Sequence, residues 1–299
     1  MSARIEMSVA GVRLLAEWNG SIGLETLSGA YDGFVRRVGD DAPAPDMQVT
    51  LVREDPLEPD PEMLVFDTGD SWRLHRHGNG LLLTFHPPGQ AAPFWQARID
   101  SAFQHATLAC GPDLFVQRQG ARVLVNPVAY PLDQILFMYL LARRNGAIFH
   151  AAAAVRRGRA CLFPGVSGAG KSTVSRLLAE AGWDVLSDDR CAVVFEDKRA
   201  VAYGTPWPGD AGYAENRGAP LDGVFFLEQA DTCSVGSPGL RGALHRFLPV
   251  TGIPWYDDTR LPGMLAFLER LASMVPCRDL LFTPDANFVE VVENTLDRA

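Results

Sequence analysis

The sequence predicts two parts: a β-rich N-terminal domain over residues 1–126 and an α/β domain over residues 127–299. Three observations carry that expectation. Short apolar, β-branched and aromatic runs separated by turn residues fill the first part. After Asn126-Pro127, strand-like runs alternate with segments of helical period. Between one such strand and one such helix stands a glycine-rich loop at 165–172.

Within the first part, the runs 5–18, 47–52, 63–66, 71–75 and 81–85 read as strands. Asn19-Gly20, Asp40-Asp41-Ala42-Pro43 and Gly78-Asn79-Gly80 supply turns between them. Further runs follow at 94–99, 103–109, 114–117 and 123–125. The segment 55–62 holds three prolines and four acids and reads as an exposed loop. This sheet is open to two readings, a surface that takes a polypeptide by strand addition or an architectural cap.

The second part opens with a buried helix over 131–141, with Pro131 in its first turn and Arg143, Arg144 and Gly146 at its end. Strands over 147–155 and 160–163 flank the polar turn Arg156-Arg157-Gly158-Arg159, a hairpin that feeds the glycine-rich loop. Val174, Leu177, Leu178 and Ala181 then recur at helical spacing. A strand over 183–186 ends in Ser187-Asp188-Asp189. A strand at 224–227, a helix at 261–274, a strand at 280–283 and a helix at 288–296 complete the chain.

Composition narrows the function classes. With 299 residues, 47% hydrophobic and 21% charged, the chain matches an ordinary globular protein. Its net charge of -9 repels duplex nucleic acid and anionic membrane, and no basic cluster offsets it. No apolar run approaches the roughly 20 residues that span a bilayer. The N-terminus lacks a signal-peptide core, so a cytoplasmic protein is expected. Five widely spaced cysteines without a C-x-x-C pair argue for free thiols and against a zinc ribbon. Lysine occurs only at Lys171 and Lys198, which makes each of them conspicuous.

Gly165-Val166-Ser167-Gly168-Ala169-Gly170-Lys171-Ser172 satisfies G-x-x-x-x-G-K-[ST]. Glycines let successive backbone N–H groups turn inward on phosphates; the lysine reaches the β- and γ-phosphates, and the hydroxyl sits on Mg²⁺. The helix that follows adds the positive end of its dipole. Gly165, Ser167, Gly168, Ala169, Gly170, Lys171, Ser172 and Thr173 are therefore the expected nucleotide contacts, with ATP and Mg²⁺ as ligands. Asp188-Asp189, at the end of the next strand, could place a carboxylate beside the metal; Asp is also common at such junctions for solvation alone. His150 interrupts an apolar strand, where a histidine is usually a satisfied core residue. Its functional reading is a proton partner of Asp188. Arg190 either contacts phosphate or pairs with a neighbouring acid, and Trp207, between two prolines, either packs or forms a lip over the site.

His150, the loop G-x-S-G-x-G-K-S and Ser187-Asp188-Asp189-Arg190 together resemble the catalytic domain of HPr kinase/phosphorylase. That fold is shared more distantly with ATP-dependent phosphoenolpyruvate carboxykinase. The resemblance covers roughly residues 147–230 and implies an α/β P-loop kinase domain. It implies Asp188 as the base that activates a substrate serine, His150 as its partner, Lys171 on phosphate and Ser172 on Mg²⁺. Glu215-Asn216-Arg217-Gly218 echoes the family's E-x-R-G signature. By that echo Glu215 joins Ser172 and Asp189 as a metal ligand, and Arg217 lies near the transferring phosphoryl group. The segments 204–210 and 225–229 look like a divergent branch, the HPr-kinase-like proteins often encoded beside peptide-modifying enzymes. The expectation is an ATP- and Mg²⁺-dependent serine kinase of a protein or peptide. Its rivals are a small-molecule kinase and a non-catalytic ATP-binding sensor or scaffold. Nucleic-acid and membrane partners are not expected, and homo-oligomerisation is left open.

Overall fold

The computed structural model describes residues 2–87, 89, 92–285 and 287–297. They form two compact units, Met1–Gly29 with Val35–Leu140 and Ala30–Phe34 with Leu141–Ala299. The division falls inside a helix, later in the chain than the expected junction at 126/127. The reason is packing: Tyr139 of that helix stacks on Phe103 of the first unit, ring centroids 4.1 Å apart.

In the first unit the strands are β1 (Ser2–Val9), β2 (Val12–Asn19), β3 (Gly23–Leu24), β4 (Val35–Arg37), β5 (Met47–Arg53) and β6 (Leu64–Asp67). They continue with β7 (Trp72–His77), β8 (Gly80–Phe85), β9 (Trp95–Ile99), β10 (His105–Cys110), β11 (Phe115–Arg118) and β12 (Ala121–Leu124). Helix α1 (Leu132–Arg143) follows. Nine strands make one sheet in the order β4-β1-β2-β5-β10-β9-β8-β7-β6, and β11-β12-β3 make a second. The run 5–18, expected as one strand, is a hairpin. Ala10 (φ 50°) and Gly11 (φ 73°) form its two-residue turn, and β1 pairs with β2 from Ser2↔Asn19 to Val9↔Val12. Alternation sets the faces: Met47, Val49 and Leu51 are buried, while Gln48 and Thr50 are half-buried.

The second unit contains β13 (Gly146–Arg156), β14 (Arg159–Pro164), α2 (Lys171–Glu180), β15 (Asp184–Ser187), β16 (Arg190–Glu196) and β17 (Arg199–Gly204). It continues with β18 (Gly218–Gln229), β19 (Ser234–Gly236), α3 (Gly239–Phe247), α4 (Leu261–Met274), β20 (Cys277–Phe282) and α5 (Asn287–Asp297). The hairpin of β16 and β17 was not expected, nor were β19 and α3. Asp197 (φ 43°) and Lys198 (φ 71°) make the β16–β17 turn, so the second of the two lysines is a turn residue.

Strand β13 is long enough to serve two neighbours in turn. Its first half pairs with β16, from Gly146↔Val194 to His150↔Arg190, and its second half with β14 and β15. Its side chains alternate between two cores. Ala147, Phe149, Ala151 and Ala153 pack with Phe247 of α3 and with Met264, Leu268 and Leu271 of α4. Ala152 and Ala154 pack with Val174 and Leu178 of α2 and with Phe288 and Val292 of α5. The result is a sheet covered by helices on both faces, the layering that alternating βα segments produce. The run of alanines keeps both helix layers close to the strand. Strands β14, β18 and β20 lie parallel, and the glycine-rich loop leaves the C-terminal end of β14, the usual ligand-binding edge of such sheets. Among the described residues, no helix is long and apolar enough to cross a membrane.

Candidate functional site

The loop is built from the backbone outward. Gly165 N–H donates to the His150 carbonyl at 3.2 Å, which ties the loop's first residue to β13. Gly170 has φ 98°, and a Cβ there would lie 2.7 Å from Phe282 Cζ, so only glycine fits. Gly170 also precedes α2 without any side-chain cap, which leaves the start of the helix suited to an anion. Gln229 Nε2 donates to the Gly168 carbonyl at 3.0 Å and braces the loop from β18. Ser172 and Thr173 are half-buried in the first turn of α2, and Ser167 is exposed.

Lys171 is buried, with Nζ donating to the Gly165 and Val166 carbonyls at 3.0 and 3.1 Å. The same Nζ lies 3.8 Å from Asp189 Oδ1. Burial lowers the lysine's pKa, and the Asp189 charge opposes that shift.

The two adjacent aspartates have different jobs. Asp188 is completely buried, and backbone amides take both of its oxygens. Gly209 and Tyr213 donate to Oδ1 at 3.0 and 3.2 Å, and Ala211 donates to Oδ2 at 2.8 Å. It is the anchor of the loop after β17. The expected His150–Asp188 pair is not formed: His150 Nε2 lies 2.7 Å from Asp189 Oδ1. Arg190 Nη1 donates to Asp189 Oδ2 at 2.7 Å. Burial works to raise the Asp189 pKa. The His150 hydrogen bond and the charges of Arg190, His150 and Lys171 outweigh it and hold the carboxyl below its ordinary value. Asp189 thus joins the histidine, the arginine and the loop lysine in one cluster.

Cross-strand register explains this choice. His150 stands opposite Arg190, and Ala151 N–H donates to the Asp189 carbonyl at 2.9 Å. Asp189 therefore sits on the edge shared with β13, while Asp188 turns to the loop at 209–213. Gly209 permits that contact, since a Cβ there would lie 2.9 Å from Asp188 Oδ2 and 3.0 Å from Asp189 Cβ. Thr205 Oγ1 adds a bond to the Arg190 carbonyl at 2.6 Å, and Trp207 is buried.

The E-x-R-G echo is not drawn into this cluster. Arg217 pairs with Asp184 at 3.2 Å, at the end of β15 remote from Ser187, and Glu215 is exposed. The Glu215 N–H donates to the Leu186 carbonyl, so this segment pairs with β15 by its backbone. Among the described residues, no group of three His, Cys, Asp or Glu side chains could hold a metal by itself. Asp189 is instead paired with His150 and Arg190. The residues that sequence reasoning passed over are Gly209, Ala211 and Tyr213, whose backbone receives Asp188. Their signal was the glycine-bounded segment Gly204-Thr205-Pro206-Trp207-Pro208-Gly209.

A family model described as "SynChlorMet cassette protein ScmC" is similar to residues 132–243 of the chain. That stretch takes in the glycine-rich loop, His150 and both aspartates. No curated protein matches the sequence.

Proposed function

We propose that the protein is an ATP- and Mg²⁺-dependent phosphotransferase of the HPr kinase-like P-loop class, acting on a serine hydroxyl of a protein or peptide. The observation that carries this reading is the cluster of Lys171, Asp189 and His150 at the mouth of the glycine-rich loop, with contacts of 3.8 and 2.7 Å to Asp189. A loop serving only to bind a nucleotide has no need of a histidine-held carboxylate beside its lysine. The uncapped start of α2 and the turn at Gly170 suit phosphate. Ser172, at the place of the P-loop hydroxyl, would hold Mg²⁺ together with phosphate oxygens and water. When bound, Mg²⁺–ATP supplies the transferable γ-phosphoryl group.

Each residue then has a defined part. Lys171 exchanges its loop carbonyls for phosphate oxygens. Asp189, and not Asp188, accepts the proton of the attacking hydroxyl. The alcohol oxygen gains the phosphoryl group, and ADP departs with the electrons of the broken P–O bond. His150 orients Asp189, and Arg190 supplies positive charge beside it. Asp188 holds the loop at 209–213 in place. The net charge of -9 disfavours nucleic acid as a partner, and a cytoplasmic setting suits five free cysteines.

The test is transfer from γ-labelled ATP in an extract of the source cells, with wild type and Asp189→Asn side by side. Label in a polypeptide with wild type alone supports the proposal. Label confined to small molecules moves the acceptor to a metabolite. Intact bound ATP with no label in either fraction makes the loop a sensor and overturns the proposal.

A further inference from the structure

The open edge of the nine-stranded sheet carries features that the phosphotransfer site does not use. Strand β6 ends the sheet order and, among the described residues, pairs only with β7. Around it the surface is apolar: Met63, Leu64 and Phe66 are all exposed. An unpaired strand edge beside exposed apolar side chains is a template for another extended chain.

A cavity of about 620 Å³ adjoins this edge. Its wall includes Glu58 and Asp60 from the proline-rich loop, Leu64 and Asp67 from β6, and His75 from β7. Asp60 Oδ1 accepts the Glu62 N–H at 3.0 Å, which fixes the turn that carries the acids. Arg73 also lines the cavity and is paired with Asp67 at 3.0 Å. His75 is only 3% exposed, and its Nδ1 has no hydrogen-bond partner. Burial lowers the His75 pKa, with the Arg73 and His86 charges in support and Asp67 and Asp60 opposing. A neutral ring does not repel a cation and can accept an N–H from one. A buried polar atom without a partner is costly in a folded protein, and a ligand donor would satisfy it.

We propose that this cavity receives the guanidinium or ammonium group of a basic side chain on an extended polypeptide laid along β6. Charge decides between occupants. A second copy of this chain would bring the same acids to the edge and be repelled, whereas a segment alternating apolar and basic residues matches both the exposed apolar side chains and the acidic cavity. The inference rests on the proposed kinase reading only in treating that polypeptide as the phosphoacceptor; the binding itself stands apart from it.

The experiment is fluorescence anisotropy on the full chain without ATP. The probes are a labelled heptapeptide alternating Val and Arg, the same peptide with Glu for Arg, and the Arg peptide N-methylated along its backbone. The Arg peptide is expected to bind, and the other two at least about tenfold more weakly. The surface double variant Glu58→Gln/Asp60→Asn is expected to weaken the Arg peptide by about tenfold without a change in Tm. Equal binding of the Arg and Glu peptides, unchanged binding to the double variant, or indifference to N-methylation overturns the proposal. Binding here together with no label in any fraction of the γ-labelled ATP assay would uphold this site while the kinase reading fails, and label in a polypeptide in that assay without binding here would do the reverse.

Discussion

Asp189 Oδ1 lies 2.7 Å from His150 Nε2, while its neighbour Asp188, without a side-chain hydrogen bond among the described residues, is wrapped by the amides of Gly209, Ala211 and Tyr213. One peptide bond separates a carboxylate paired with a histidine from one that holds a loop. This difference orders the expected behaviour of the site.

Asp189→Asn should lower phosphoryl transfer by about 10²–10⁴-fold, the usual contribution of a general base, with nucleotide affinity largely retained. Asp188→Asn should act through stability. Replacing a carboxylate oxygen by an amide N–H₂ leaves buried backbone donors unmatched, at about 1–3 kcal/mol each. Calorimetric Tm and single-turnover rates on both variants separate the two roles; equal loss of rate at equal Tm would assign the base to both.

Lys171→Met should abolish detectable binding of a fluorescent ATP analogue and leave the far-UV spectrum unchanged. The ammonium's hydrogen bonds, at 3.0 and 3.1 Å, go to loop carbonyls and its ion pair with Asp189 is long at 3.8 Å, so the fold does not depend on a tight structural ion pair there. Retained affinity would remove the loop from nucleotide recognition.

Gly170→Ala meets two obstacles, a φ of 98° and a Cβ position 2.7 Å from Phe282 Cζ. The left-handed backbone alone costs a side chain about 1–2 kcal/mol. The loop must shift, and nucleotide affinity measured by calorimetry should fall by about tenfold or more.

The pH dependence of stability should carry the signature of Asp189. Its folded pKa lies below the ordinary value of 3.8, so its ionised form is favoured by folding. That contribution is present above the unfolded pKa and is lost as pH falls through the folded one. The stability difference between wild type and Asp189→Asn, measured by urea melts, should change only below about pH 4.

Arg217→Ala should retain transfer within about threefold of wild type, because its guanidinium pairs with Asp184 at the far end of β15. A loss of two orders of magnitude would restore it to the reacting group. Arg190→Ala, which removes the 2.7 Å partner of Asp189, should show the larger loss.

The loop at 165–172, the helix after it and the strand before it could be read from residue type and spacing alone, because glycines, lysine and hydroxyl stand at the set intervals of G-x-x-x-x-G-K-[ST] between an apolar run and a segment of helical period. The alanine-rich strand, α4 and α5 were likewise legible from their periodicity. Other features left weaker traces. Strands β16 and β17 lie between the aspartates and the next expected strand, with turn residues Asp197 and Lys198 in place of glycine. The 5–18 run concealed a hairpin because Ala10-Gly11 is a quiet turn signal beside so many apolar residues.

What the sequence determined by itself was that a glycine-rich loop, a strand histidine and a pair of aspartates belong to one α/β unit. Which aspartate meets the histidine was decided only by tertiary structure. The pairing of His150 with Arg190 across β13 and β16 sets Asp189 on the shared edge, and the backbone at 209–213 claims Asp188. Both depend on strand register and on a loop more than twenty residues away, and neither is encoded in the spacing of the motif. Adjacent side chains in an extended chain point to opposite sides, so a choice between neighbours is a choice of register.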